Sequence, residues 1–209
     1  MVQILKDSVK NQITRAAEHQ FAKAGYKKAT MGAIAAEAGV AAGTIYKYFK
    51  DKKALFREIV SREFVEEMAR LTGKRIAAFA ASDGLDPSRA LLAGEAGELL
   101  RFWVENRWKV VILLDRAEGS EQESFARDYI GAMASQTLEQ ARKQYPTMVD
   151  TDIFRFMVNK ILADSVRGIV TILESFDDTR RIYEAFAASS AYQLAGIRAF
   201  IEWSLHSGS

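Results

Sequence analysis

The chain has 209 residues, two prolines, no cysteine and a net charge of +2. That length holds one large domain or a small and a larger one, and the missing cysteine excludes a disulfide framework, a thiolate metal site and a cysteine nucleophile. So few prolines, among abundant Ala, Leu, Glu, Lys and Arg, predict an all-α fold of about nine helices with essentially no strand.

The first apolar stripe is Val9, Ile13, Ala16, Ala17 and Phe21, spaced as one face of a helix of about three turns. Gly25 ends it, with Tyr26 placed to fold back onto it. Thr30 then stands as an N-cap before Ile34, Ala35 and Ala38, and Gly39-Val40 breaks that short helix. A second short stripe follows at Ile45 and Phe49, so the two pieces read as a helix-turn-helix. Asp51 is the expected cap of one long helix over about 52–80, carrying Leu55, Phe56, Ile59, Val60, Phe64, Met68 and Leu71.

The segment Ala81 to Ser88 is the strongest break, rich in turn formers and holding Pro87. Beyond it the patterns predict helices at about 88–106, 107–117, 120–144, 151–175 and 178–204. Val110 to Leu114 has the composition of a buried strand but stands alone among helical patterns, so it reads as helix. That run is too short to span a bilayer and Met1 to Asp7 lacks a leader pattern, so the expectation is a soluble cytoplasmic protein that does not meet a membrane.

Residues 1–75 carry 15 Lys and Arg against 8 Asp and Glu, while the remainder is acidic. A basic end on an acidic body is the footprint of a chain that meets a polyanion; a chance excess on solvated helix faces accounts for the charge alone about equally well. On a wheel turning about 100° per residue, Ile45 and Phe49 fall on one side and Lys47 almost opposite, with Gly43 near it and Thr44, Tyr46 and Tyr48 on the flanks. Gly43 lets a backbone approach a duplex, Lys47 donates to a base edge or a phosphate, and the Thr and Tyr hydroxyls suit phosphate oxygens. Lys52 and Lys53 add charge to the positive end of a helix dipole.

These residues resemble a known family. Ala16-Ala17-x-x-x-Phe21, Gly25-Tyr26, Ala29-Thr30, Ile34-Ala35-x-x-Ala38-Gly39-Val40, Gly43-Thr44-Ile45-Tyr46-x-Tyr48-Phe49 and Lys52-x-x-Leu55 together look like the N-terminal domain of the TetR family of repressors. The resemblance covers residues 9–56. It implies a three-helix DNA-binding domain over 1–53 and a larger helical ligand-binding and dimerisation domain over 54–209. It implies that Thr30 contacts phosphate, that a recognition helix starting near Ala41 enters the major groove, and that Thr44, Tyr46, Lys47, Tyr48 and Lys52 touch DNA. Ala41 departs from the Ser or Thr common there, so contacts at Ala41 and Ala42 are left to backbone and methyl groups.

The implied function is a transcriptional repressor, not an enzyme, that binds a palindromic operator as a homodimer and is released by a small-molecule effector. Phe102, Trp103, Trp108, Tyr129 and Met133 supply soft walls for an apolar or aromatic effector, though ordinary core packing explains any one of them. Arg116 is a candidate polar anchor, or else a helix-end residue facing water. Apolar stripes on the last two helices suit a dimer interface, and packing within one chain accounts for them nearly as well. No cofactor and no metal are expected: Glu202 and His206 have ligand spacing but lie in a Ser- and Gly-containing tail.

Overall fold

The computed structural model describes residues 2–81, 94–146 and 151–206, with side chains placed over 6–78, 94–146 and 151–205. Every regular element among them is a helix. In chain order they are α1 (Val2–Lys28), α2 (Met31–Glu37), α3 (Ala42–Ile45), α4 (Lys52–Ile59), α5 (Arg62–Ala81), α6 (Gly94–Glu105), α7 (Arg107–Asp115), α8 (Phe125–Gln144), α9 (Asp152–Ser175) and α10 (Thr179–His206). The expected turn after Ala81 lies outside the described residues from 82 onward.

The chain divides into two compact units, Met1–Glu66 with Asn106–Ala126, and Glu67–Glu105 with Arg127–Ser209. In the first, α1 packs against α2, α4 and α7. Ile13, Ala17, Phe21, Ile34, Ile45, Leu55 and Phe56 form its interior, each at most 1% exposed. Burying a side chain the size of Phe21 or Ile45 contributes about 1.5–3 kcal/mol, so these few residues hold three very short helices in place. Val110 to Leu114 is helical and buried throughout, in α7. A helix covered on all sides needs no polar face, which is why its sequence lacks a helical period.

Several boundaries differ from the sequence expectation, and α8, expected from about 120, opens at Phe125. α1 starts at Val2, well before the first apolar residue of the stripe. Gly25 adopts φ 78 and ψ 153, a conformation open to glycine, and helical bonding resumes to Lys28 with Ala29 N donating to Gly25 O at 3.0 Å. The helix expected over 52–80 is two helices: Val60 leaves helical geometry at φ −104 and ψ 73, and the Ser61 hydroxyl accepts from Phe64 N at 3.2 Å. The apolar stripe crosses this break because burial against the core sets its spacing, while Ser61 re-caps the backbone.

The second unit holds α8, α9 and α10 around Ala134, Phe154 and Val158, with Leu138, Leu162 and Phe200 packed on them. Phe154 and Phe200 stack with centroids 5.2 Å apart. On α6, Trp103 lies 5.6 Å from Phe186 of α10. Tyr129 and Thr72 join their hydroxyls at 2.5 Å in the interior.

Candidate nucleic-acid interface and effector cavity

The helix-turn-helix is built by its caps. Ala33 N donates to the Thr30 hydroxyl at 3.1 Å to open α2, and Ala54 N donates to Asp51 Oδ1 at 2.7 Å to open α4. Gly39, at φ 67, makes the tight turn between α2 and α3. Ala41, the residue before α3, supplies no side-chain cap, and α3 is one turn long, giving way after Ile45 to turns in which Lys47 N bonds Thr44 O and Tyr48 N bonds Ile45 O. The recognition segment is thus shorter as a helix than its sequence pattern suggests, because an uncapped start followed by Gly43, Tyr46 and Tyr48 offers little intrinsic helix stability.

The two faces of the segment are nevertheless sharply separated. Ile45 is 0% and Phe49 4% exposed, while Tyr46 is 56% exposed and Ala42, Gly43 and Lys47 face water with it. Thr44 and Tyr48 are half-buried on the flanks, and Thr30 is exposed at the start of α2. A Cβ added at Gly43 would meet nothing within 4 Å, so this glycine is not required by packing inside the chain. Lys50, which the sequence reading passed over, is exposed beside Lys47, and among the described residues neither forms an ion pair. Its signal was present in the sequence as one more cation next to the buried Phe49.

Lys52 is placed differently from the other candidates. Its Nζ donates to the carbonyls of Tyr26 at 2.7 Å and Ala29 at 2.9 Å, and reaches Lys27 O at 3.4 Å. Burial holds this ammonium below the usual lysine range. Tyr26 closes an aromatic trio with Phe21 and Phe56, at 5.6 and 4.9 Å, so Lys52 fastens the end of α1 to the start of α4. Lys53 pairs with Glu121 at 3.6 Å and Lys27 with Glu118 at 2.5 Å.

The candidate effector residues divide between the two units. Trp108 and Arg116 belong to the first unit, where Arg116 donates to Ala22 O at 3.3 Å, pairs with Asp115, and accepts Tyr26 N on its own carbonyl at 2.8 Å. Arg116 therefore anchors α7 to α1. Tyr129 spends its hydroxyl on Thr72, and burial pushes it up to about 12. Phe102 and Met133 are half-buried and line neither of the two cavities found in the second unit.

The larger cavity has a volume of about 290 Å³ and is lined from α5, α8, α9 and α10, with Ile76, Phe154, Leu162, Ile197 and Phe200 among its apolar lining. The smaller, about 160 Å³, is lined by Trp103, Leu99, Ile169 and Phe186 among others. Of the six residues named from sequence, Trp103 is among the lining of these two cavities and the other five are not. The stripes of the last two helices, which the sequence offers equally to a dimer interface or to packing within the chain, supply much of this lining, and only the packing of α5, α8, α9 and α10 brings it together. Among the described residues no cluster of three or more His, Asp or Glu could hold a metal ion, and no helix is long and apolar enough to cross a membrane.

Residues 13–59 match the family described as bacterial regulatory proteins, tetR family. An uncharacterized HTH-type transcriptional regulator of Haemophilus influenzae is 41% identical over 66 residues, which are 32% of this chain and 35% of that protein. The HTH-type transcriptional regulator YhgD of Bacillus subtilis is 48% identical over 50 residues, 24% of this chain and 26% of that protein. The chain thus spans about a third or less of the length of these curated relatives. Among solved structures, the ketosteroid transcriptional regulator KstR2 of Mycobacterium tuberculosis is similar with a TM-score of 0.58 and 17% identity, covering 90% of this chain and 93% of that one. The fatty acid degradation regulator FadR of Bacillus halodurans is similar with a TM-score of 0.51 and 20% identity, covering 91% and 96%. Residues 13–59 are therefore similar to the bacterial regulatory proteins of the tetR family over their helix-turn-helix, and the chain shares the all-helical fold of these solved regulators.

Proposed function

We propose that this protein is a cytoplasmic transcriptional repressor that binds a palindromic operator as a homodimer and lets go when a small molecule enters the second unit. The observation that carries the DNA-binding part is the recognition segment, where buried Ile45 and Phe49 back an exposed face of Ala42, Gly43, Tyr46 and Lys47. In this reading Lys47 reaches base edges or phosphates, while Thr30, Thr44 and Tyr48 give hydroxyls to phosphate oxygens. Lys52 contributes through its backbone amide and by fixing the helix that presents it.

Residues 1–53 are the DNA-reading part in this proposal and residues 54–209 the ligand-binding and dimerisation part. One helix-turn-helix reads too few base pairs for useful specificity, and two held about 34–36 Å apart read a palindrome. α9 and α10 are the proposed interface, because they leave Ile153, Phe156, Tyr192 and Trp203 exposed while Phe154, Ile182, Phe186 and Leu194 turn inward. The effector site is the pair of cavities, and an effector releases DNA only by binding one conformational state more tightly than the other.

The test is binding to duplex fragments from around the protein's own gene over a salt series, with Tyr46→Phe and Lys47→Ala beside the wild type. Footprinted, salt-dependent binding to a palindrome is expected, weaker in both variants, with the salt slope of Lys47→Ala reduced by roughly one. Binding no tighter than to random DNA at low salt would overturn the proposal.

A further inference from the structure

The two cavities share four residues in their walls, Arg75, Ser165, Ser190 and Gln193. Arg75 is the one residue with a formal charge among the described residues lining either cavity. The larger cavity adds Phe154, Leu162, Ile197 and Phe200 to its lining, side chains without a polar group. A guanidinium suits an oxyanion, which it holds by two parallel hydrogen bonds.

The neighbouring polar groups have the same sense. Ser190 and Gln193, one helical turn apart on α10, are half-buried and their side chains make no hydrogen bond among the described residues, so a hydroxyl and an amide N–H remain to donate. Ser165 gives its hydroxyl proton to Ile161 O at 2.8 Å. In the wall of the smaller cavity, Trp103 keeps its indole Nε1–H buried with no acceptor among the described residues. An indole N–H is a donor only, so a ligand that satisfies it must bring an acceptor. Burial lowers the Arg75 guanidinium from its ordinary value and Glu95 opposes this, so an arriving carboxylate meets a poorly hydrated cation and competes with Glu95 for it.

We infer that the effector is an amphipathic organic acid, its carboxylate at the Arg75–Ser190–Gln193 junction and its flexible apolar chain in the larger cavity. This rests on the proposed effector role of that cavity and names the class of molecule that fills it. A cavity of about 290 Å³ stands at the lower end of the range for ligand sites, which suits one slender chain better than a fused-ring body.

Three probes of equal chain length, decanoate, decanol and decylamine, are titrated below their micellar concentrations into wild type, Arg75→Met and Trp103→Phe, reading thermal stabilisation and, in parallel, release of bound DNA. Decanoate is expected to bind wild type at least about tenfold more tightly than decanol, in line with the strength of a hydrogen bond to a charged group. Arg75→Met should bring that ratio close to one while leaving decanol binding intact, and Trp103→Phe should weaken decanoate several-fold. Decanol or decylamine equalling decanoate on wild type overturns the inference, as does a ratio that survives Arg75→Met or binding by none of the three. Stabilisation by decanoate without DNA release upholds the acid site and overturns effector control, whereas DNA release by decanol as readily as by decanoate upholds effector control and overturns the acid site.

Discussion

The ammonium of Lys52 lies 4.4 Å from the centroid of the Tyr26 ring and donates to the carbonyl of that same residue at 2.7 Å. One side chain thereby satisfies the carbonyl groups that end α1 and covers the aromatic trio beneath them. A cation at a helix C-terminus also meets the negative end of the dipole. Lys52→Met keeps the length of the stem and removes the donor, leaving the Tyr26 and Ala29 carbonyls short of a partner. The expected loss is about 2 kcal/mol in urea unfolding, since hydrogen bonds from charged groups contribute about 1.5–3 kcal/mol. A variant as stable as wild type but weak on DNA would instead make Lys52 a direct phosphate contact.

At Gly43 the reverse pattern is expected. Alanine fits without touching anything within 4 Å, and a helical position favours Ala over Gly by up to about 1 kcal/mol. Gly43→Ala should therefore melt at the same temperature as wild type or slightly above it. If the segment seats its backbone against a duplex, the added methyl group meets DNA, and affinity falls by roughly tenfold, about 1.4 kcal/mol. Unchanged affinity in a direct titration would show that the backbone at Gly43 stays clear of the groove.

How far the sequence carried depends on the kind of information each feature needs. Thr30, Asp51, Ile45 and Phe49 were legible because caps and buried positions of a short helix are local properties, and the structure places all four as their spacing predicts. The break at Ser61 was legible in principle, a serine that caps Phe64 N, but the unbroken apolar stripe concealed it. What Arg116 and Lys52 hold within the chain was not legible for a shared reason: a cation in a sequence looks available, and only the fold shows Arg116 donating to Ala22 O and Lys52 to the carbonyls of Tyr26 and Ala29. The cavity lining required the packing of α5, α8, α9 and α10, which no local pattern encodes.

Glu121 gives the first unit a pH dependence. Its carboxylate takes a two-point grip from Arg57, Nε at 2.7 Å and Nη2 at 2.6 Å, with Lys53 at 3.6 Å. The Arg57 hydrogen bonds come first among the causes that hold this carboxyl below the usual range. A group whose folded pKa is depressed contributes stability above its unfolded value, about 4.3 for Glu, and loses it as pH falls through the folded one. The stability of wild type over Glu121→Gln should hence be constant from neutral pH down to about 5, shrink below about 4.3, and vanish in stronger acid. Chemical denaturation of both proteins at several pH values checks this, and a difference that grows on acidification would contradict it.

On α10, Tyr192 is 82% exposed, and Gly196, Ala199 and Trp203 continue the same face at helical spacing, all open to solvent. Phe156 on α9 is 65% exposed. A single chain gains little from large apolar side chains held in water, whereas a second copy covering them would bury each one at about 25 cal/mol per Å². Tyr192→Glu should cost one chain almost nothing, because the side chain touches little of its own fold. In a dimer through this face it would bring two carboxylates into an apolar contact, where burial without partners is costly. Sedimentation equilibrium should then show wild type at twice the chain mass and the variant at the chain mass. Affinity for a palindromic duplex should fall at least about a hundredfold, close to 2.7 kcal/mol, while circular dichroism stays that of the wild type. A variant that remains dimeric would move the interface off this face of α10 and leave Tyr192 and Trp203 to some other partner.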